Sequence, residues 1–323
     1  MTADTPTTVP PVDWDAVEEE IDCPLCDYNL RGLIESRCPE CGYRFEWPDM
    51  LDPTRRLHPY LYEHHPECGF KSFWRTARGG LRPRRFWRSL NPVQPSRPKR
   101  LMRYWCLVAS ILILVFVIEM GIATAEMIRD RKASHSFMVA SITARYSQSH
   151  YSTLVKNYGS IQNYCESLYP TRPLVVIRDL FSQPGPFLIV GAILGVPLTW
   201  PWLSFLALMV FQMSMKRARI KAIHVLRCTL YASDVILWLA ITHVVLILTV
   251  IVLLSTAGPG MRVMMATTVS FIAAAPLIAS YRLAVAYRFY LRFDRPVLTV
   301  LAAQILMMLL GLNLLWAPWV WLH

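Results

Sequence analysis

The sequence predicts an all-α multi-pass membrane bundle of five transmembrane helices, preceded by a small N-terminal zinc ribbon. Three observations predict it. The 323-residue chain is 54% apolar with a mean hydropathy of +0.34. Its apolar runs reach about 20 residues, the length that crosses a bilayer. Four of its eight cysteines fall in two close pairs near the start.

Residues 1–22 carry seven carboxylates among Thr and Pro and few apolar groups, the composition of a disordered acidic tail. They lack a basic n-region and an apolar h-region, so no cleaved signal peptide is expected.

Residues 23–49 form the cysteine module, with Cys23, Cys26, Cys38 and Cys41 spaced C-x2-C-x11-C-x2-C. Two residues between cysteines let both sulfurs of a tight turn face one ion, and two such turns supply a tetrahedron of thiolates. One structural Zn2+ is the expected cofactor. Iron in a rubredoxin-like site and redox chemistry at a C-x-x-C pair compete with it. The stretch lacks a rubredoxin's aromatic core and a thioredoxin-like context. With four protein ligands no position is left for water or substrate, so the site reads as structural. Asp27 follows the first pair where Gly42 follows the second.

Residues 50–103 read as an aromatic and basic juxtamembrane segment. Residues 71–103 hold eleven Lys or Arg and no acid. Trp74, Arg82, Arg84, Arg85, Phe86, Trp87 and Arg88 are the candidate membrane-interface residues, facing a bilayer with anionic head groups rather than nucleic acid. His58, His64, His65 and Cys68 resemble a second metal site only loosely, and a docking turn is the simpler reading. Gly79, Gly80 and Pro83 divide the segment into two short helical pieces.

Residues 104–323 make the five-span domain, with apolar runs at about 104–125, 186–213, 233–257, 263–281 and 296–322. Pro197 and Pro201 predict a kink in the second. An outer loop is expected at about 126–185, its one cysteine, Cys165, a packed thiol. Cys106 and Cys228 are expected as buried small apolar groups. Loop charge orients the bundle. Lys216, Arg217, Arg219, Lys221 and Arg227 precede the third span, and Arg282, Arg288, Arg292 and Arg295 precede the fifth. Both loops are therefore expected inside, which places the N-terminus in the cytosol and the C-terminus outside the inner membrane. Glu119, Asp234 and His243 are the possible intramembrane polar residues. Asp234 is expected to pair with Arg227 or with an arginine of the last inner loop. The chain shows no nucleophile triad, nucleotide loop or paired carboxylates, so no enzyme is predicted.

Two stretches carry a resemblance. "CPLCDYNLRGLIESRCPECGYRF" is similar to the CPxCGYxLRGL…RCPECGxxF ribbon at the front of uncharacterised bacterial multi-pass membrane proteins, with Asp27 in place of a glycine. "FWRTARGGLRPRRFW", "LRCTLYAS" and "YRFYLRFDRPVLTVLAAQIL" resemble bacterial members of the Yip family. That resemblance implies five spans, a cytosolic N-terminus and an extracytosolic C-terminus. Eukaryotic members assist membrane trafficking and bind small GTPases. The expectation is a non-enzymatic membrane adaptor or membrane-organising protein, its ribbon docking a protein partner or the chain itself. A small-solute or ion transporter is the alternative.

Overall fold

The computed structural model describes residues 20–52, 57–145, 148–182, 184–214, 220–254, 260–293 and 295–321. Most of the acidic tail, Lys216, Arg217 and Arg219 of the first inner loop, and Asp294 fall outside them. The described residues form helices α1 (Trp47–Leu51), α2 (Gly69–Gly80), α3 (Pro83–Ser89), α4 (Pro98–Arg145), α5 (Gln148–Tyr158) and α6 (Ile161–Leu168). They continue through α7 (Pro173–Ser182), α8 (Pro184–Ser214), α9 (Ala222–Ser233), α10 (Val235–Leu254), α11 (Gly260–Phe289) and α12 (Pro296–Trp321). No β-strand occurs among them; the cysteine module has two isolated bridges instead.

Three stretches are long and apolar enough to cross a membrane: Pro98–Arg145, Ala222–Val250 and Ala266–Phe289. Gly195–Val210 and Pro296–Leu309 are shorter apolar helices. Ile113, Leu114 and Val117 on α4, Val245 and Leu248 on α10, and Leu298, Leu301 and Ile305 on α12 are all exposed. Rows of large exposed aliphatic side chains fit lipid as solvent, which points to membrane association. Helix α8 runs without a break through Pro197 and Pro201.

The chain divides into two compact units. One comprises Met1–Leu107, Thr199–Val235 and Pro276–His323; the other comprises Val108–Leu198 and Ile236–Ala275. In the second unit, α4 does not end where the expected outer loop begins. No glycine or proline lies between Gly121 and Gly159, and "EMIRDRKASHSFMVASITAR" is built of good helix formers. At 48 residues the helix is about 72 Å long, more than twice a bilayer's hydrocarbon core. Its last turns meet α5 and α6. There Ile142, Ile161 and Cys165 are buried among Met138, Val139, Leu154, Val155 and Tyr164. Cys165 is thus a packed thiol.

The first unit has an aromatic core. Phe73 lies 5.2 Å from Tyr104, Tyr104 5.1 Å from Tyr231, Phe86 5.8 Å from Tyr231 and Trp87 5.7 Å from Tyr290, ring centre to ring centre. This corrects the expectation for two interface residues. Phe86 and Trp87 are 1% and 0% exposed and face protein, because α9 and the end of α11 offer them tyrosine partners. Trp74 is half-buried against Phe70 and Phe73. Arg82, Arg84, Arg85 and Arg88 are exposed, Arg88 resting 4.6 Å from the Phe289 ring centre. Helices α2 and α3 thus turn Phe73, Phe86 and Trp87 inward and their arginines outward, while Phe70 stays exposed.

Candidate metal centre

The two cysteine pairs repeat one backbone pattern fifteen residues apart. Cys23 N–H donates to Tyr28 O and Asp27 N–H to Cys23 O; Cys38 N–H donates to Tyr43 O and Gly42 N–H to Cys38 O. Single bridges close the turns, Asp22 with Asn29 and Arg37 with Arg44. The residue after each pair is left-handed, Asp27 at φ 62° and Gly42 at φ 73°. This conformation turns the chain back so that both sulfurs of a pair point inward.

The four Sγ atoms lie within 4.8 Å of one another. Cys23 to Cys41 is 3.6 Å and Cys26 to Cys38 is 3.5 Å. An ideal thiolate tetrahedron with metal–sulfur bonds of about 2.3 Å has edges of about 3.8 Å, so the four cysteines can hold one metal ion. The hydrogen bond with Cys41 holds the Cys23 thiol down to about 5, and the Leu25 and Cys26 amides add to this. Burial pushes Cys26 up to about 12. The thiol that Cys26 keeps must be lost on metal binding, which therefore releases protons.

The module is seated on α9 and on the residues flanking α9 and α11 in its own unit. His224 Nε2 donates to Pro24 O at 2.8 Å while its Nδ1 accepts from Tyr290 Oη at 2.7 Å. Lys221 N–H donates to Leu25 O at 2.8 Å, and its ammonium pairs with Asp27. The second knuckle is held by Arg292, whose Nη1 donates to Arg44 O at 3.0 Å, and by Asn91, whose Oδ1 accepts from Tyr43 Oη at 2.8 Å.

Asp27 therefore has a reason to stand where a glycine would be easier. The left-handed conformation costs a non-glycine residue about 1–2 kcal/mol, and an exposed ion pair returns about 1 kcal/mol at most. Asp27→Gly is expected to stabilise the isolated turn while loosening its seat on Lys221. The check is faster amide exchange at Lys221 with unchanged metal affinity; exchange as slow as in the wild type would refute the docking role.

Beneath the module lies a buried ion pair. Arg227 and Glu63 side chains are fully buried, with Nε to Oε2 at 2.8 Å. Arg227 also donates to Tyr290 Oη at 2.9 Å, Pro95 O at 3.0 Å and Gln94 O at 3.3 Å. Glu63 accepts from Tyr231 Oη at 3.1 Å and Arg97 N–H at 3.2 Å. Each charge is paired and its remaining valences are used, the condition for a buried ion pair to persist. The partners lie 164 positions apart, so residue spacing does not foretell the pair.

The histidines of residues 58–65 serve the same fold rather than a second ion. His58 N–H donates to His64 Nδ1 at 2.9 Å, His64 Nε2 to Pro95 O at 3.0 Å, and His65 Nε2 to His58 O at 2.7 Å. Burial, aided by the Arg227 charge, holds His58 and His64 down to about 4 from 6.5. In the unfolded chain they take up protons that the fold refuses. Stability is therefore full above about pH 6.5 and falls as pH drops toward about 4. Amide protection over residues 57–97 is expected to weaken at about pH 5 relative to about pH 7.5, and a His58→Asn/His64→Asn variant should flatten that slope. A variant as steep as the wild type would assign the effect elsewhere.

Of the three polar residues expected within the spans, two meet. Glu119 Oε1 lies 2.7 Å from His243 Nδ1, and His243 Nε2 lies 3.3 Å from Thr268 Oγ1. Glu119 also lines a small void of about 20 Å³, room for about one water. Asp234 belongs to a different set. It accepts from Tyr104 Oη at 2.7 Å and from Arg282 Nη2 at 2.5 Å, so its partner is not Arg227 but Arg282, which the structure places within α11 and not in a loop. Cys228 is buried as expected, whereas Cys106 is exposed on α4. Comparison with protein-family models, curated proteins and solved structures finds no match to this chain.

Proposed function

We propose that the chain is a non-enzymatic adaptor or membrane-organising protein of the inner membrane, whose cytosolic zinc module clamps its own inner loops and presents a surface to a protein partner. The observation that carries this reading is the seating of both knuckles, through Pro24 O, Leu25 O and Arg44 O, on His224, Lys221 and Arg292. A module tied to two loops at once holds those loops in register, which is a scaffold's task. Zinc is the assigned ion because four thiolates in a closed tetrahedron suit a metal with no redox role. Helices α8 and α12, 31 and 26 residues long, supply the second and fifth spans. The arginine-rich inner loops support a cytosolic N-terminus and an extracytosolic C-terminus. The Yip-like stretches support the same topology. On the module's outer side Ile34 is 100% exposed, a natural centre for partner contact.

The test is a photo-crosslinking side chain at position 34 of the full-length protein in native cells, with purified protein assayed for metal in parallel. A defined protein crosslinked at Ile34 but not at exposed Phe137 supports the reading. Crosslinks confined to the chain itself, or to no zinc-bearing protein, would remove the adaptor role.

The Glu119–His243–Thr268 chain favours a second reading, proton-coupled or ion transport, because ionisable groups within spans mark conduction paths more often than chance. Under that reading His243→Ala abolishes solute or proton flux in reconstituted vesicles. Flux unchanged by the substitution removes it.

A further inference from the structure

Outside the metal centre, a cleft lies on the outer face of α2 and α3. It encloses about 900 Å³, and its walls include Arg75, Arg78, Arg82 and Arg85 with Tyr60 and Ser89. No carboxylate of the described residues lines it. Among the described residues none of the four guanidinium groups forms an ion pair or a side-chain hydrogen bond, and all four side chains are exposed. Four like charges around one concavity repel one another until an anion enters, so the cleft is electrostatically incomplete.

Its geometry is pre-formed. Arg75 and Arg78 are one turn apart on α2; Arg82 and Arg85 are one turn apart across the start of α3. Each pair projects from one ridge of its helix. Behind them the wall is fixed by Thr76, whose hydroxyl accepts from Tyr62 N–H at 2.9 Å and donates to Tyr60 O at 3.3 Å. Ser89 Oγ donates to Phe86 O at 2.7 Å and meets His58 Nε2 at 3.2 Å. The backbone wall needs little ordering when a ligand binds, and the cost falls on the four arginine side chains.

We infer that this cleft binds the head group of a membrane phospholipid carrying two phosphates, of the cardiolipin class, one phosphate to each arginine pair. Guanidinium groups match phosphate oxygens bidentately, and two pairs from two helices suit two phosphates joined by a short linker. The lipid source is favoured by position. The segment from Gly69 to Ser89 is followed within nine residues by α4, which carries the first membrane-crossing stretch, and Leu81 lies exposed on the cleft wall. The inference rests on the membrane reading above, and it replaces a diffuse basic surface with a discrete site.

The test uses the full-length protein reconstituted into phosphatidylcholine vesicles containing a minor fraction of cardiolipin, then released and weighed by native mass spectrometry with its lipids. Wild-type protein is expected to retain cardiolipin. Arg78→Gln/Arg82→Gln, one arginine from each pair, is expected to lose retention by about tenfold, as befits the loss of two charge-assisted contacts. Lys71→Gln/Arg84→Gln removes the same charge outside the cleft and should retain lipid as the wild type does. Arg78→Lys/Arg82→Lys keeps charge and fold but not the fork, and should fall between. Equal loss in the cleft and control variants, or full retention by the glutamine pair, overturns the site. Displacement of the lipid by inorganic pyrophosphate overturns the lipid assignment in favour of a soluble phosphate. Metal content read from the same spectra separates this failure from failure of the zinc scaffold.

Discussion

Replacing Cys38 with serine is expected to cost the chain its metal ion and, with it, the structure of residues 23–49. The module buries Leu25, Leu30, Tyr43, Phe45 and Trp47, too few side chains to fold so short a segment. Metal binding must carry the difference, and a four-thiolate structural ion is worth about 10–16 kcal/mol near neutral pH. Serine offers no thiolate, so the tetrahedron falls to three ligands. Elemental analysis of the purified full-length variant should show metal falling from about one ion per chain toward none. Hydrogen exchange should show protection lost at Cys23, Asp27 and Leu30, whose amides now close the first knuckle. The loss should spread to Lys221, whose amide donates to Leu25 O. Cys68→Ser, at an exposed cysteine outside the cluster, should change nothing. A Cys38→Ser protein with full metal content would show that the ion sits elsewhere.

The second large effect is expected at Glu63. Glu63→Ala leaves the Arg227 guanidinium buried with its carboxylate gone, and removing one partner of a buried pair costs about 3–5 kcal/mol. Thermal unfolding in detergent should fall accordingly, with the tyrosine hydroxyls of Tyr231 and Tyr290 losing order alongside. Glu63→Met with Arg227→Met removes both charges and keeps the volume, so the double variant should recover much of the loss. If Glu63→Ala melts within about 0.5 kcal/mol of the wild type, the pair is not the keystone described.

How much of this was legible depended on the range of the signal. The cysteine spacing is local, so the metal site was readable residue by residue. Hydropathy is local too, and it located the apolar helices without saying where α4 stops, since nothing in residues 122–145 breaks a helix. The alternation of aromatics and arginines in residues 70–88 was readable as a two-faced helix. It did not say whether the aromatic face meets lipid or protein, because both are apolar surroundings; Tyr231 and Tyr290 settle that for Phe86 and Trp87. Asp27 announced a left-handed turn, but its partner Lys221 is fixed only by the fold. Arg227 was readable as a partner for Asp234, not for Glu63. The pairing of Glu63 with Arg227 across 164 residues is a tertiary fact that no window reveals.

The contact between His224 and Pro24 spans 200 residues of chain. At translation speeds of about 5–20 residues per second, Pro24 exists for about 10–40 s before His224 is made. During that interval the cysteine module can take up an ion but lacks its seat. Arg292, which holds the second knuckle, arrives later still. Until then any order in the module must come from metal binding alone, and its assembly onto His224 and Arg292 is a late step. A nascent chain starved of metal would meet that step with nothing shaped to dock.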